Sequence, residues 1–229
     1  MQEAQFLILI PVIAAICGAA IASVAKPGPV LSSAIQHFAA GVVFAAAAAE
    51  ILPSLKHENA LWPTIIGGAV GIVVMLIIEE IGKRTTGRAA TITLVGVDLF
   101  VDGLVLGLGF AANIKVGLLL TIALTLEILF LTLSLTLELV KEGSSRPTAF
   151  STASFVVLLV PVGLFAADRV ALLPQSTVTG FFAFSLIALL YLVTEELLAE
   201  AHETPDRPWV TALFFVGFLL LLALEDLIG

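Results

Sequence analysis

Cysteine is almost absent: the 229 residues hold one, Cys17. That excludes a disulfide framework and a cysteine metal cluster. Charge is scarce as well, at 12% of the chain against about 25% in soluble domains. Lys and Arg number 10 beside 18 Asp and Glu, and no basic stripe exists to follow a phosphate backbone, so nucleic acid is not an expected partner. The opening Met-Gln-Glu-Ala-Gln lacks the positive start of a cleaved leader, so residues 5–24 are expected to be a retained span.

What fills the chain instead is apolar: 60% hydrophobic residues and a mean hydropathy of +1.15. Runs long enough to cross hydrocarbon fall near 5–24, 34–53, 62–82, 91–111, 116–139, 149–168, 177–198 and 209–228. The expectation is an all-α polytopic membrane protein of eight transmembrane helices in a single domain, 1–229. The breaks between runs carry turn chemistry, as in Lys26-Pro-Gly-Pro29, Lys83-Arg-Thr-Thr-Gly87 and Glu142-Gly-Ser-Ser-Arg-Pro147. Only Asn113 and Lys115 interrupt the fourth and fifth runs. Lys26, Lys83, Arg84, Arg88, Lys141, Arg146 and Arg207 fall on odd-numbered connections, against Lys56, Lys115 and Arg169 on the other side. The positive-inside rule then places both termini outside a plasma (inner) membrane.

Acids appear where lipid should tolerate none. Asp98 and Asp102 are four residues apart and share one face of the fourth span, and Glu127 lies near the centre of the fifth. A charged Asp at the bilayer centre costs about 2.5–3.5 kcal/mol on insertion scales. Neither span contains Lys or Arg to offset it. The three acids therefore need a bound cation, protons or water, unless the Thr125 or Thr132 hydroxyls satisfy Glu127. Carboxylate donors without cysteine suit hard ions such as Mg, Ca or Mn. Gly103 and Gly107 have the spacing that lets a neighbouring helix approach closely.

Further acids mark the ends of the spans. Glu50 ends the second, while Glu195, Glu196, Glu200 and His202 end the seventh. These read either as solvated ends or as vestibules for a cation, with Glu225 near the C-terminus attracting cations from outside. His37, at the start of the second span, is expected at the interface. Ala49-Glu50-Ile-Leu-Pro53 and Glu195-Glu196-Leu-Leu-Ala-Glu200 echo one another at opposite membrane faces, as an inverted repeat predicts.

These motifs resemble the ZIP family of divalent metal transporters over nearly the whole chain. His37-Phe-Ala-Ala-Gly41 with Glu50-Ile-Leu-Pro53 is similar to its second helix, and Glu195-Glu196-Leu-Leu-Ala-Glu200-Ala-His202 to its seventh. Asp98-Leu-Phe-Val-Asp102-Gly103 is similar to the fourth-helix motif His-Asn-x-Pro-(Glu or Asp)-Gly. Leu126-Glu127-Ile128-Leu129-Phe130 falls on the fifth-helix motif, of whose ligands Glu127 alone survives. Val101 and Leu129 replace the prolines of both motifs, and Val160-Pro161 replaces the sixth-helix Glu-Pro.

The resemblance implies three-helix inverted repeats flanking a central helix pair, with Asp98, Asp102 and Glu127 as metal ligands. It implies a divalent cation of the Zn, Fe or Mn type as cargo, with no prosthetic group. Expected partners are the bilayer, a metal cation or proton, and a second copy of the chain in a homodimer. The competing reading is a proton- or other-ion-coupled carrier, or a scaffold that has lost metal transport. Asp-x-x-x-Asp also occurs in membrane prenyltransferases, but those pair two such motifs with basic residues, so no enzyme is expected.

Overall fold

The computed structural model describes residues 6–25, 27–58, 60–205 and 207–228, without the side chains of Ser54, His57 and Glu58. Lys26, which contributes to the orientation argument, lies outside the described residues. Eight long helices follow in order: α1 (Leu9–Val24), α2 (Pro29–Ile51), α3 (Leu61–Arg84), α4 (Arg88–Ala112), α5 (Ile114–Lys141), α6 (Arg146–Val170), α7 (Gln175–Ala201) and α8 (Pro208–Ile228). Seven are long and apolar enough to cross a membrane; the 16 residues of α1 are apolar but shorter. The all-α polytopic architecture expected from the apolar runs is therefore present. Most helices extend a few residues past those runs at each end, because polar interface residues continue the hydrogen-bond ladder.

Local chemistry sets the breaks. Asn113 alone separates α4 from α5: its backbone is extended, and its side chain accepts the Lys115 N–H at 2.9 Å, capping the new helix. Gly87 and Gly143 turn the chain at φ 95° and 91°, a region that side chains with a Cβ avoid. Pro161 cannot accept a regular turn against the Val157 carbonyl, and α6 is broken at Val157–Leu158. By contrast α4 and α5, with Val101 and Leu129 where the resembling motifs carry proline, run without interruption.

Two π turns interrupt the remaining ladders. In α2 the turn Ala47–Ile51 precedes Pro53, whose missing N–H removes a bond from the regular pattern. In α7 the turn Leu192–Leu197 has no proline to account for it. Glu50 lies in the first, and Glu195 and Glu196 in the second.

Helices α2, α4 and α5 form the buried centre, while α3 and α8 are mostly exposed along their apolar lengths, as lipid-facing helices would be. α1 packs on α5, α6 on α4, α8 on α2 and α3 on α7, with α4 against α5 in the middle. Each of the four outer pairs meets at glycine. A Cβ on Gly18 would overlap the Leu129 carbonyl, one on Gly41 that of Phe214, and one on Gly67 that of Gly180. In the α4–α6 pair Gly103 meets the Val160 carbonyl and Gly163 that of Phe100. Such contacts let backbones approach where lipid gives no hydrophobic drive for association.

Gly163→Ala forces a Cβ into the rigid Phe100 carbonyl, so it is expected to destabilise the protein by about 1–3 kcal/mol. Gly68 has only an Ile187 methylene at 3.7 Å beside it, and Gly68→Ala is expected to be neutral or to stabilise by up to about 1 kcal/mol. Thermal unfolding in detergent compares the two.

Candidate ion-binding site

The glycine seam beside Val160 sets the depth of α4, and one turn of that helix carries Asp98 and Asp102 into the bundle. Asp98 is buried, and Asp102 and Glu127 are each only 1% exposed. The Asp102 and Glu127 carboxyls lie within hydrogen-bonding reach of each other across the α4–α5 contact. Glu196 on α7 joins them: it and the other three acids lie within electrostatic range.

Compensation is missing at this cluster. Among the described residues, no amide, amine or alcohol donates to Asp102 Oδ2 or to either Glu127 carboxylate oxygen. The two threonines named as alternative partners of Glu127 are engaged elsewhere. Thr125 donates to the Thr121 carbonyl at 2.5 Å, and Thr132 to those of Ile128 and Ala15 at 2.8 and 2.9 Å. Basic side chains also pair elsewhere: Lys83 with Glu79, Arg84 with Glu80, and Lys115 with Glu225 at 3.7 Å. Two buried carboxyls in contact without a cationic partner require a proton or a bound cation between them.

The space around the acids is divided. Asp98 and Asp102 line a cavity of about 10 Å³ together with Met75, Leu189 and Leu192. Glu127 lines a second, of about 30 Å³, with Gln36, Glu196, Glu200 and the same Leu192. Neither is larger than one or two waters require. Leu192, the first residue of the α7 π turn, borders both. Among the described residues no three His, Cys, Asp or Glu side chains surround a metal-sized position. Asp98, Asp102 and Glu127 thus share a neighbourhood without forming a closed shell of ligands.

The other expected residues separate into groups. Glu50 is buried and lies within electrostatic range of Glu225 and Lys115. Glu195 is exposed and faces the α3 charges around Lys83, away from the carboxyl cluster. Glu200 accepts a hydrogen bond of 2.5 Å from Gln36 Nε2. His202 meets His37, their ring centroids 5.0 Å apart. His37 itself differs from expectation: it is 1% exposed, covered by the end of α7. Gln36 escaped the sequence reading, although a polar side chain within the apolar stretch of α2 was the available signal.

A scan against protein-family models matches none, and a search of curated proteins finds no relative.

Gln in place of Glu127 removes the carboxyl–carboxyl contact and gives Asp102 an amide donor. Glu127→Gln is therefore expected to stabilise the chelator-treated protein by about 1 kcal/mol, read as a higher unfolding temperature in detergent. Destabilisation as large as that of Glu127→Ala would show that the contact is not repulsive.

Proposed function

We propose that the protein is a transporter for a divalent metal cation, carried through the bundle past the carboxyls of α4 and α5. The observation that supports this most is the contact between Asp102 and Glu127. Two helices bring fully buried acids together, and no basic residue among those described pairs with either. A cation entering there gains the attraction of several acids in a low dielectric, so the cluster binds what the protein itself does not supply. Glu196, on the α7 π turn, extends the acidic lining toward Glu200.

The ZIP-like resemblance of the fourth- and seventh-helix motifs supports the same reading, and so does the packing order. Exchanging α1, α2, α3 and α4 for α6, α7, α8 and α5 carries the four outer pairs and the α4–α5 pair onto one another. One constant shift along the chain carries Gly18 onto Gly163, Pro29 onto Pro174 and Glu50 onto Glu195. The same shift carries the π turn of α2 onto that of α7, and one residue more carries Glu79-Glu80 onto Glu225-Asp226. These correspondences support, as part of the proposal, a three-helix inverted repeat flanking a central pair. In this reading both termini lie outside an inner membrane, and metal moves inward.

A second reading has its own observation. The small cavities and, among the described residues, the lack of a three-ligand group fit one proton shared by Asp102 and Glu127. A proton- or other-ion-coupled carrier, or a scaffold that transports nothing, would look the same.

In proteoliposomes Asp102→Ala is expected to abolish metal flux, while Gly68→Ala retains it; normal flux in Asp102→Ala would remove the site assignment. Thermal stabilisation by Mn, Fe, Zn, Cd, Mg or Ca separates the two readings. No shift with any of them favours the proton.

A further inference from the structure

The two ends of the bundle differ. At one end α7 finishes against the start of α2. Ser33 Oγ donates to the Ala201 carbonyl at 2.8 Å, Gln36 Nε2 donates to Glu200 at 2.5 Å, and the His37 ring lies against that of His202. Beside this junction Glu127 and Glu200 line one cavity, of about 30 Å³. At the other end, around the α4–α5 break, a cavity of about 420 Å³ lies between α2, α4, α5 and α7. Leu55, Ala112, Asn113, Gln175, Thr179 and Phe182 are among the residues that line it.

The repeat relates these two ends residue by residue. The shift that carries Glu50 onto Glu195 also carries Ser33 onto Val178, Ala34 onto Thr179 and His37 onto Phe182. In reverse it carries Glu200 onto Leu55. Val178, Thr179, Phe182 and Leu55 all line the large cavity. The positions that meet at one end therefore surround an open space at the other. An inverted repeat with unlike ends holds its two halves in two conformations, and exchanging them reverses which end is closed.

Size and lining agree. A divalent ion that keeps six waters needs about 180 Å³, at about 30 Å³ per water. The large cavity admits such an ion, whereas the small one admits a water or two. The polar groups of the large cavity, Asn113, Gln175 and Thr179, are uncharged. They suit the waters of a passing ion and do not hold the ion itself.

We propose that the structure is the loading state of the transporter. A hydrated divalent cation enters by the cavity at the α4–α5 end, and the α2–α7 junction is the closed gate opposite it. This inference rests on the transport reading and adds which end is open and which contacts shut the other. In the orientation of that reading the open end is outside. In the releasing state the roles exchange: Gln36 and Glu200 part, and Leu55 closes on Val178 and Phe182. The closed gate is built of hydrogen bonds, so loss of one donor or acceptor loosens it. Removing a hydrogen bond to a charged group shifts a two-state equilibrium by about tenfold or more.

The test reads how fast a positively charged, membrane-impermeant methanethiosulfonate modifies single cysteines in detergent, with Cys17→Ala as background and no divalent cation present. Val178→Cys reports the large cavity, and Ser134→Cys, which shares the small cavity with Glu200, reports the closed end. Val178→Cys is expected to react about tenfold faster than Ser134→Cys, or more. Adding Gln36→Ala is expected to speed Ser134→Cys and slow Val178→Cys, each by about tenfold. Glu200→Ala, at an exposed position, does the same should Gln36→Ala fail to fold. Equal rates at the two reporters overturn the proposal, as do rates that neither substitution changes. A faster Ser134→Cys beside an unaltered Val178→Cys also overturns it, because one end has then loosened without the other closing. These rates are read without cargo, so they stand apart from the flux of Asp102→Ala. Normal flux in that variant would remove the carboxyl site and leave the gates in place.

Discussion

A carboxyl group deep in a membrane helix bundle has to be neutralised by something, and around Asp102 and Glu127 the described residues offer neither a basic partner nor an alcohol or amide donor. The rest of the structure is arranged around that constraint. The acids stand on α4 and α5, the central pair, and the outer helices keep lipid and bulk water away from them. Where the chain does supply cations, at Lys83, Arg84 and Lys115, it spends them on acids outside this cluster. Such a distribution leaves the central carboxyls without a fixed cationic partner, and burial in a low dielectric makes their charged form costly unless a mobile positive species is present.

Enclosure of this kind requires backbones to approach closely, and the glycine seams allow it. Gly103 and Gly163 let α4 and α6 meet carbonyl to Cα one residue from Asp102. The same intimacy explains why the cavities are small, and why a single side chain, Leu192, borders both. An apolar side chain between two acid-lined spaces is a barrier to an ion, because passing it means shedding ligands on one side before gaining them on the other.

The spans were legible because a continuous apolar run needs no tertiary information to be recognised, and Asn113 was legible as the break that its capping side chain makes it. The acids of α4 and α5 were legible for the opposite reason, as polar residues in the wrong solvent. The partition was not: Leu192 is one apolar residue in an apolar run, and only packing gives it two cavities to border. Nor was the difference between Glu195 and Glu196, since the π turn that carries them adds a residue per turn and resets which neighbour faces the core. His37 read as an interface residue because it stands at the start of the second span; its burial comes from the end of α7, distant in sequence.

The α7 π turn then acquires a physical role. A π turn holds one residue more than the α-helical ladder around it, and moving that residue by one position exchanges only a few hydrogen bonds within the same helix. Each residue passed by such a shift rotates by about 100° about the helix axis. Leu192 opens this turn and Glu196 is its fifth residue, so one turn carries both the partition and an acid of the lining. α3 packs along the same helix through Gly67 and Gly180. Unlike its counterpart before Pro53, the α7 turn has no proline to pin it in register. Of the two π turns it is therefore the one whose register no proline fixes, and it is also the one that carries Leu192 and Glu196 beside the carboxyls of α4 and α5.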